Sequence, residues 1–177
     1  LITLIKAAGA LALKEQKKLE VKTKADTSIV TNGDLAVSKF LEIHLKELYP
    51  DHDVFSEENT SALPTKKKVI IIDPIDGTES FARKQGSWSI LIGFLDDFKP
   101  VGGVIYQPST KTLYYAFKGE GAFMIKGNRK IPLNAQGFKE KITAVTSPKD
   151  YDEMNFLKTK GISEAIPLYS AALKIMP

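Results

Sequence analysis

Apolar residues recur at helical spacing along the first fifty positions, and the pattern then changes to that of strands. A stretch rich in Ala, Leu and Lys predicts a first helix over residues 2–19. A second helix is expected to begin near Asn32-Gly33-Asp34, where Asn or Asp can cap it, and to end at Tyr49-Pro50. The apolar stripe of this second helix consists of Val37, Leu41, Leu45 and Leu48.

Strand patterns dominate from residue 53 to residue 126. A short strand is expected at 53–55, and the β-branched run 69–72 predicts a strand that is buried on both faces. Apolar residues then alternate with Ser and Gly from 87 to 94. Further strands, separated by turns as in a meander, are predicted over 101–106, 112–117 and 122–126.

The pattern changes once more near the end of the chain. Asn134-Ala135-Gln136-Gly137 breaks the apolar rhythm, and from residue 142 a strand, helix, strand, helix order indicates a second α/β unit. We therefore expect an α/β protein in two parts, an N-terminal α+β domain over residues 1–135 and the start of a C-terminal α/β domain over 136–177.

Composition narrows the function classes. The 177 residues include no cysteine, which excludes disulfides, thiolate chemistry, zinc fingers and iron–sulfur ligation in this chain. The net charge of +4 is small and the basic residues are scattered, which argues against a nucleic-acid-binding module. No apolar run approaches the roughly 20 residues that span a bilayer. Residues 1–13 lack a basic leader and are interpreted as helix, so a cytoplasmic location is expected.

Two groups of lysines are candidates for contacts with an anion. The run Lys66-Lys67-Lys68 lies between a proline and a predicted buried strand, which favours a solvated loop face over a role in steering a substrate. Lys22 and Lys24 precede the Asp34 segment. For these two, a phosphate-facing role and an exposed linker role both remain open.

The most informative segment follows the run 69–72. Asp73 is expected at the C-terminal end of that strand, and Asp76-Gly77-Thr78 is expected to turn into a short helix. The amides of Gly77 and Thr78 would then form an anion site, and Asp73 and Asp76 would supply hard oxygen ligands for a divalent cation. The alternative is an ordinary strand–helix turn in which an Asp caps the helix.

Two further acidic segments favour the metal and anion site over the ordinary turn. Ser56-Glu57-Glu58 follows the short strand, and alone it would be an ordinary acidic loop. Asp34 is either a helix cap or a carboxylate that faces the same cleft. The three segments together favour a shared acidic cleft.

These segments resemble the lithium-sensitive, magnesium-dependent phosphatase superfamily that contains inositol monophosphatase, fructose-1,6-bisphosphatase and the 3′(2′),5′-bisphosphate nucleotidases. Residues 73–78 with Phe81 match its signature Asp-Pro-Ile/Leu-Asp-Gly-Thr-x-x-Phe, and Ser56-Glu57-Glu58 matches its Gly/Ser-Glu-Glu. Residues 23–31 are most similar to the nucleotidase branch of bacterial CysQ type. Residues 169–174 resemble that branch's Gly-Ser-Ser-Leu-Lys segment, apart from Ala172.

The resemblance implies a fold and an activity. The fold is a layered α/β/α/β/α sandwich, in which a helix pair packs on a largely antiparallel sheet before a truncated α/β half. The activity is Mg²⁺-dependent hydrolysis of a phosphomonoester, with two or more Mg²⁺ ions in the full-length enzyme. Adenosine 3′,5′-bisphosphate, cleaved to AMP and phosphate, is the expected substrate.

The resemblance also implies residue roles. Glu57 and Asp73, with the carbonyl of Ile75, would hold the first Mg²⁺, and Asp73 and Asp76 would share the second. Asp34, Thr78 and Glu57 are the expected catalytic residues. Thr78, oriented by Asp34, would help to deprotonate the attacking water, and the amides of Gly77 and Thr78 would cradle the phosphate.

One departure from the family keeps other functions open. The family carries a further metal-binding Asp in a C-terminal Trp-Asp motif, whereas the only tryptophan here is Trp88. We therefore expect the chain to be the N-terminal two-thirds of a longer enzyme, with an incomplete second metal site and little activity alone. The alternatives are an inositol monophosphatase-like enzyme and a non-catalytic regulatory or scaffold protein. A small phosphorylated substrate is the expected partner, without nucleic acid or membrane, and a homodimer is compatible with the resemblance.

Overall fold

The computed structural model describes residues 1–59, 63–134, 142–146, 162–167 and 170–175. The α-helices of these ranges are α1 (Ile2–Glu15), α2 (Asn32–Leu48) and α3 (Thr78–Ala82). Short 3₁₀ helices lie at Gln16–Lys18, Glu57–Asn59 and Ala172–Ile175. The strands are β1 (Val21–Thr23), β2 (Ile29–Thr31), β3 (Asp53–Ser56), β4 (Val69–Asp76), β5 (Ser89–Asp96), β6 (Lys99–Gln107), β7 (Thr112–Phe117), β8 (Gly121–Lys126), β9 (Arg129–Leu133), β10 (Ile142–Thr146) and β11 (Ile162–Pro167).

A seven-stranded sheet forms the centre of the described structure, in the order β3-β4-β5-β6-β7-β8-β9. Only its edge pair, β3 and β4, is parallel; every other neighbouring pair is antiparallel. The strands β1 and β2 form a separate antiparallel hairpin, and β10 pairs with β11 in parallel. This arrangement confirms the largely antiparallel sheet that the meander pattern predicts, and β9 extends the sheet by one strand beyond the prediction.

The helix pair α1 and α2 packs on one face of this sheet. The predicted stripe of α2 is confirmed at Val37, Leu41 and Leu45, which are fully buried. Leu48 is instead 56% exposed, so that part of the prediction is wrong. The helix ends there, and the ring of the next residue, Tyr49, makes the contact with the sheet, 5.4 Å from the ring of Phe94. The other fully buried core side chains include Ile5, Ala8, Ala12, Ile70, Ile72, Ile90, Ile92 and Trp88.

The strand β4 differs from its prediction in two ways. Ile71 is 48% exposed, so the run is not buried on both faces, because the two helices cover only the face on which Ile70 and Ile72 lie. The strand also continues past Asp73 to Asp76, with a shift in its register against β5 between these residues. Pro74 lies in that interval and has no backbone N–H to donate to a ladder.

The cap of α2 is Thr31 rather than Asn32 or Asp34. The Thr31 side chain accepts from the Asp34 amide, and the Asp34 carboxylate accepts from the Thr31 amide, which forms a capping box. The Asn32 side chain instead joins α2 to the end of α1, since it donates to the carbonyl of Glu15 and accepts from the amide of Glu20.

The second half of the chain is described in part. The predicted strands are present as β10 and β11, whereas the predicted helix between them and the boundary residues 135–141 lie outside the described residues. In the ranges that are described, no helix combines the length and the apolar character needed to cross a membrane.

Candidate active site

Acidic residues of three elements lie in the same region, beside the parallel strand pair β3 and β4 at the edge of the main sheet. Ser56, the last residue of β3, pairs in register with Ile72 of β4, so Glu57 follows one strand while Asp73 follows the same point of the other. The hydroxyl of Ser38 on α2 donates to the hydroxyl of Ser56 at 2.7 Å, which holds this turn against the helix that carries Asp34. The sequence-predicted carboxylates therefore occupy one region.

Asp73 is the electrostatic centre of this region. Its Oδ1 atom is buried and has no hydrogen-bond partner. Burial, followed by the charges of Glu57, Asp76 and Asp34, raises the pKa of Asp73 from 3.8 to about 8. An ionised Asp73 thus lacks a compensating positive charge or donor at that oxygen.

The chemistry of this donor set fits a hard divalent cation such as Mg²⁺. Carboxylate and carbonyl oxygens are the ligands that Mg²⁺ prefers, and the Oδ1 atom of Asp73 has no other partner to give up. No three acidic or histidine side chains of the described residues stand close enough together to hold an ion as they are placed. The charges of Glu57, Asp76 and Asp34 are near enough to raise the pKa of Asp73, but the carboxylates would have to converge when a cation binds.

Asp34 and Thr78 meet at the side of this region. The Thr78 hydroxyl lies 3.4 Å from Oδ1 of Asp34 and 3.1 Å from the carbonyl oxygen of Ile75. Asp34 is only 1% exposed, and burial raises its pKa to about 6 even though hydrogen bonds from Thr31 act in the opposite direction. The predicted pairing of Thr78 with Asp34 is therefore present. Asp34 is not the cap of α2, but as the third residue of the helix it completes the capping box with Thr31.

The buried ring of Phe81 holds α3 against α2 and so keeps Thr78 near Asp34. The ring is fully buried, 4.9 Å edge-on from the ring of Trp88. A Cβ atom at Gly33, in the first turn of α2, would come within 2.7 Å of the Phe81 ring, so the ring lies directly against that turn. The signature phenylalanine thus anchors α3 to α2, a role that the motif alone did not indicate.

Gly77 makes the sharp connection between β4 and α3. Its φ of +91° lies in the left-handed region, and a Cβ there would lie 2.8 Å from the carbonyl oxygen of Ser87. Both constraints favour glycine. The anion-binding role of the Gly77 and Thr78 amides stays a prediction.

Asp76 has a structural role that the sequence did not reveal. Its Oδ1 atom accepts from the amide of Ala171 at 2.9 Å, and its Oδ2 atom accepts from the amide of Ala172 at 2.8 Å. The hydroxyls of Ser170 and Ser89 also donate to Oδ2. Asp76 therefore ties the end of β4 to the turn that precedes the 3₁₀ helix Ala172–Ile175, and its predicted place in a second metal site stays a prediction.

Lys24 is the cation of this region. Its ammonium group lies 2.8 Å from Oε1 of Glu58 and 3.9 Å from Oε1 of Glu57. Burial works against it, but the hydrogen bond to Glu58 and the charges of Glu58, Glu57 and Asp34 raise the pKa of Lys24. Of the two open interpretations, the exposed linker role is wrong for Lys24, because the β1–β2 hairpin brings it to the acidic turn. Lys22 is exposed on β1.

The lysine run lies elsewhere, as the loop interpretation predicts. Lys66 donates to the carbonyl of Pro50, Lys67 pairs with Asp97 at 3.2 Å, and Lys68 pairs with Asp51 at 2.9 Å. These contacts stabilise the loops around the start of β4, whereas Asp73 lies in the second half of that strand.

Relatives of the chain include two enzymes of different substrate. It is 38% identical over 112 residues to the 3′(2′),5′-bisphosphate nucleotidase CysQ of Aggregatibacter actinomycetemcomitans, covering 61% of this chain and 42% of that protein. It is 33% identical over 147 residues to the inositol-1-monophosphatase of Bacillus subtilis, covering 81% of this chain and 55% of that protein. The chain thus spans about half the length of the curated relatives that it matches.

Solved structures share the fold. An IMPase/NADP phosphatase complexed with Mg²⁺ and phosphate superposes with a TM-score of 0.81 at 23% identity, covering 97% of this chain and 66% of that one. This likeness confirms the predicted α/β sandwich. The sequence model of the inositol monophosphatase family matches residues 1–176. The chain therefore belongs to the inositol monophosphatase family.

Proposed function

We propose that the whole protein is a Mg²⁺-dependent phosphomonoesterase and that the region around Asp73 is its active site. The buried, unpartnered Oδ1 atom of Asp73 is the observation that carries the proposal. A carboxylate held among three others, with its pKa raised to about 8, is unfavourable unless a cation joins it. Cation binding is therefore the function that best accounts for a buried carboxylate at this position.

Glu57, Asp73 and the carbonyl of Ile75 would hold the first ion. Glu57 has a side chain that is 58% exposed, so it is free to turn toward Asp73. Asp76 would contribute to a second metal site through its Oδ1 atom, which among the described residues accepts only from the amide of Ala171 and so keeps a lone pair available. When bound, Mg²⁺ lowers the pKa of water and neutralises the phosphoryl oxygens.

Thr78 and Asp34 would handle the proton of the attacking water. With a pKa of about 6, Asp34 is mostly ionised at pH 7 and would accept the hydroxyl proton of Thr78, whose oxygen lies 3.4 Å from Asp34 and 3.1 Å from the carbonyl oxygen of Ile75. The Thr78 oxygen is then left with lone pairs that can accept a proton from water. The amides of Gly77 and Thr78 are the proposed contacts for the phosphate, because φ > 0 at Gly77 turns the chain sharply at this point.

Adenosine 3′,5′-bisphosphate is the proposed substrate, and inositol 1-phosphate is the second candidate. The first choice is supported by the nucleotidase name of the relative that is 38% identical, and the second by the inositol-1-monophosphatase that is 33% identical. We also propose that the domain boundary lies between residues 135 and 136 and that the N-terminal domain binds the metal and the phosphate. The cytoplasmic location and the homodimer stay predictions.

Phosphate release from both substrates tests the proposal. The full-length protein would be assayed with Mg²⁺ and again with EDTA in its place. We expect release that needs Mg²⁺ and is faster with the bisphosphate. Faster release from inositol 1-phosphate would overturn the substrate assignment alone, and no release from either would favour the non-catalytic alternative.

A further inference from the structure

The acidic turn that contains Glu57 already has a cation beside it. Lys24 lies in the turn of the β1–β2 hairpin, where its amide donates to the carbonyl of Ser28 at 2.7 Å. Its ammonium group hydrogen-bonds Glu58 at 2.8 Å and lies 3.9 Å from Glu57. Within the described ranges, it is the one basic side chain that pairs with either glutamate.

The two contacts of Lys24 differ in character. The Glu58 side chain is only 7% exposed and its contact is short, so this pair is a fixed one. The Glu57 side chain is 58% exposed and its contact is long, so this carboxylate can leave Lys24 without disturbing the pair with Glu58. Glu57 can thus either stay near the ammonium group of Lys24 or turn toward Asp73.

Asp73, unlike the two glutamates, has no positively charged partner among the described residues. Glu57 follows Ser56 of β3 where Asp73 follows Ile72, the partner of Ser56 on β4, yet the ammonium group of Lys24 stays with the glutamates. In the absence of metal, the positive charge of the region therefore lies on the glutamate side, and the buried Oδ1 atom of Asp73 remains without a partner.

We propose that Lys24 is a built-in counter-cation that competes with Mg²⁺ for Glu57 and so weakens and sets the Mg²⁺ affinity of the site. This inference rests on the proposed function, because it assumes that Glu57 and Asp73 hold the ion. Lys24 acts here as a positioning residue, since it contacts the glutamates and not the reacting atoms. Replacing Lys24 with an uncharged residue should therefore lower the stability of the metal-free protein and raise the Mg²⁺ affinity.

Lys24→Met and its matched control Lys22→Met test this inference. Both variants remove one positive charge from the same hairpin, but Lys22 is exposed and stands two residues from the glutamate contact. Isothermal titration calorimetry of the full-length protein gives the Mg²⁺ dissociation constant, and thermal unfolding in EDTA gives the metal-free stability. We expect Lys24→Met to bind Mg²⁺ about three- to tenfold more tightly than Lys22→Met, as a nearby and partly screened charge is removed. We also expect it to unfold at a lower temperature without metal.

Two further variants keep the test decisive. Lys24→Arg retains the charge and should keep the wild-type Mg²⁺ affinity. Lys24→Gln retains a donor to Glu58 without the charge, and it should bind Mg²⁺ more tightly even if Lys24→Met does not fold. Equal or weaker Mg²⁺ binding by Lys24→Gln, relative to Lys22→Met, would overturn the competition. If the wild type itself binds no Mg²⁺, the proposed function fails together with this inference.

Discussion

The hydroxyl of Thr78 lies 3.4 Å from a carboxylate oxygen of Asp34, although 44 residues separate them in sequence. The first turn of α2 supplies Asp34 and the first residue of α3 is Thr78. Phe81 packs against Gly33 and fixes these two helix starts relative to each other. The contact therefore depends on the buried anchor of α3 as much as on the two polar residues.

Thr78→Val should lower kcat by about 10²–10⁴-fold, because it removes the hydroxyl that relays a proton to Asp34. Thr78→Ser keeps the hydroxyl and should retain most of the activity. Asp34→Asn should lower kcat as well, and combining it with Thr78→Val should add little, since both act on one proton path. Phosphate release measures these effects. A Thr78→Ser variant as slow as Thr78→Val would contradict the role of the hydroxyl.

Asp73→Asn should stabilise the metal-free protein near pH 8 while abolishing stabilisation by Mg²⁺. The substitution removes a carboxylate whose ionised form is destabilised by burial and by the charges of Glu57, Asp76 and Asp34. Urea unfolding in EDTA and in Mg²⁺ measures both effects. Asp97→Asn, on an exposed turn, is the control: it removes only the exposed pair with Lys67 and should leave the stabilisation by Mg²⁺ unchanged. A metal-free Asp73→Asn protein that is less stable than the wild type would count against this electrostatic account.

The stability of the metal-free protein should fall as the pH rises from about 5 to about 8. The folded-state pKa values of Asp73 and Asp34 are raised from 3.8 to about 8 and about 6, so the folded state binds more protons than the unfolded state in this interval. Stability that these groups contribute below pH 3.8 is therefore lost as each ionises. Groups such as Asp51, whose pKa is lowered to about 2, act in the opposite direction only at lower pH.

Urea unfolding at several pH values in EDTA tests this dependence. The Asp73→Asn variant should lose the part of the fall nearest pH 8, and Mg²⁺ should reduce the fall in the wild type. Stability that stays level or rises over this interval would show that Asp73 is ionised at little cost.

Asp76→Asn should loosen the segment 170–172 and lower the free energy of unfolding by about 1.5–3 kcal/mol, the size of a hydrogen bond to a charged group. Asparagine has an NH₂ group in place of one of the two carboxylate oxygens, so one backbone donor, of Ala171 or Ala172, loses its acceptor. Hydrogen exchange at these two amides should become faster. Asp96→Asn, at the exposed end of β5, serves as the matched control. Unchanged exchange at Ala171 and Ala172 would mean that Asp76 does not hold this segment.

Local patterns in the sequence predicted the elements that depend on local chemistry. The apolar stripe located α2, and the motif around Asp73 located the acidic region and the short helix that begins at Thr78. The exposure of Ile71 could not be predicted from its β-branched run, because that run does not tell which faces of the sheet other elements cover. The run of the strand to Asp76 was also missed.

The local patterns could not predict contacts between residues that are far apart in the sequence. The tie between Asp76 and Ala172 joins residues 96 positions apart, and the Lys24–Glu58 pair joins a hairpin turn to a 3₁₀ turn 34 positions later. The prediction that Asn32 or Asp34 caps α2 missed Thr31 for a different reason. All three can cap a helix, and only the reciprocal bonds of Thr31 and Asp34 distinguish them.

The most direct test of the central claim, that Asp73 lies at the centre of a Mg²⁺-dependent phosphatase site, is phosphate release by the full-length protein as Mg²⁺ is titrated. Wild type, Asp73→Asn and the Asp97→Asn control would be compared on the preferred substrate. We predict release that rises with Mg²⁺ and saturates in the wild type and the control, and that is lost in Asp73→Asn at every Mg²⁺ concentration. Undiminished, Mg²⁺-dependent release by Asp73→Asn would contradict the account.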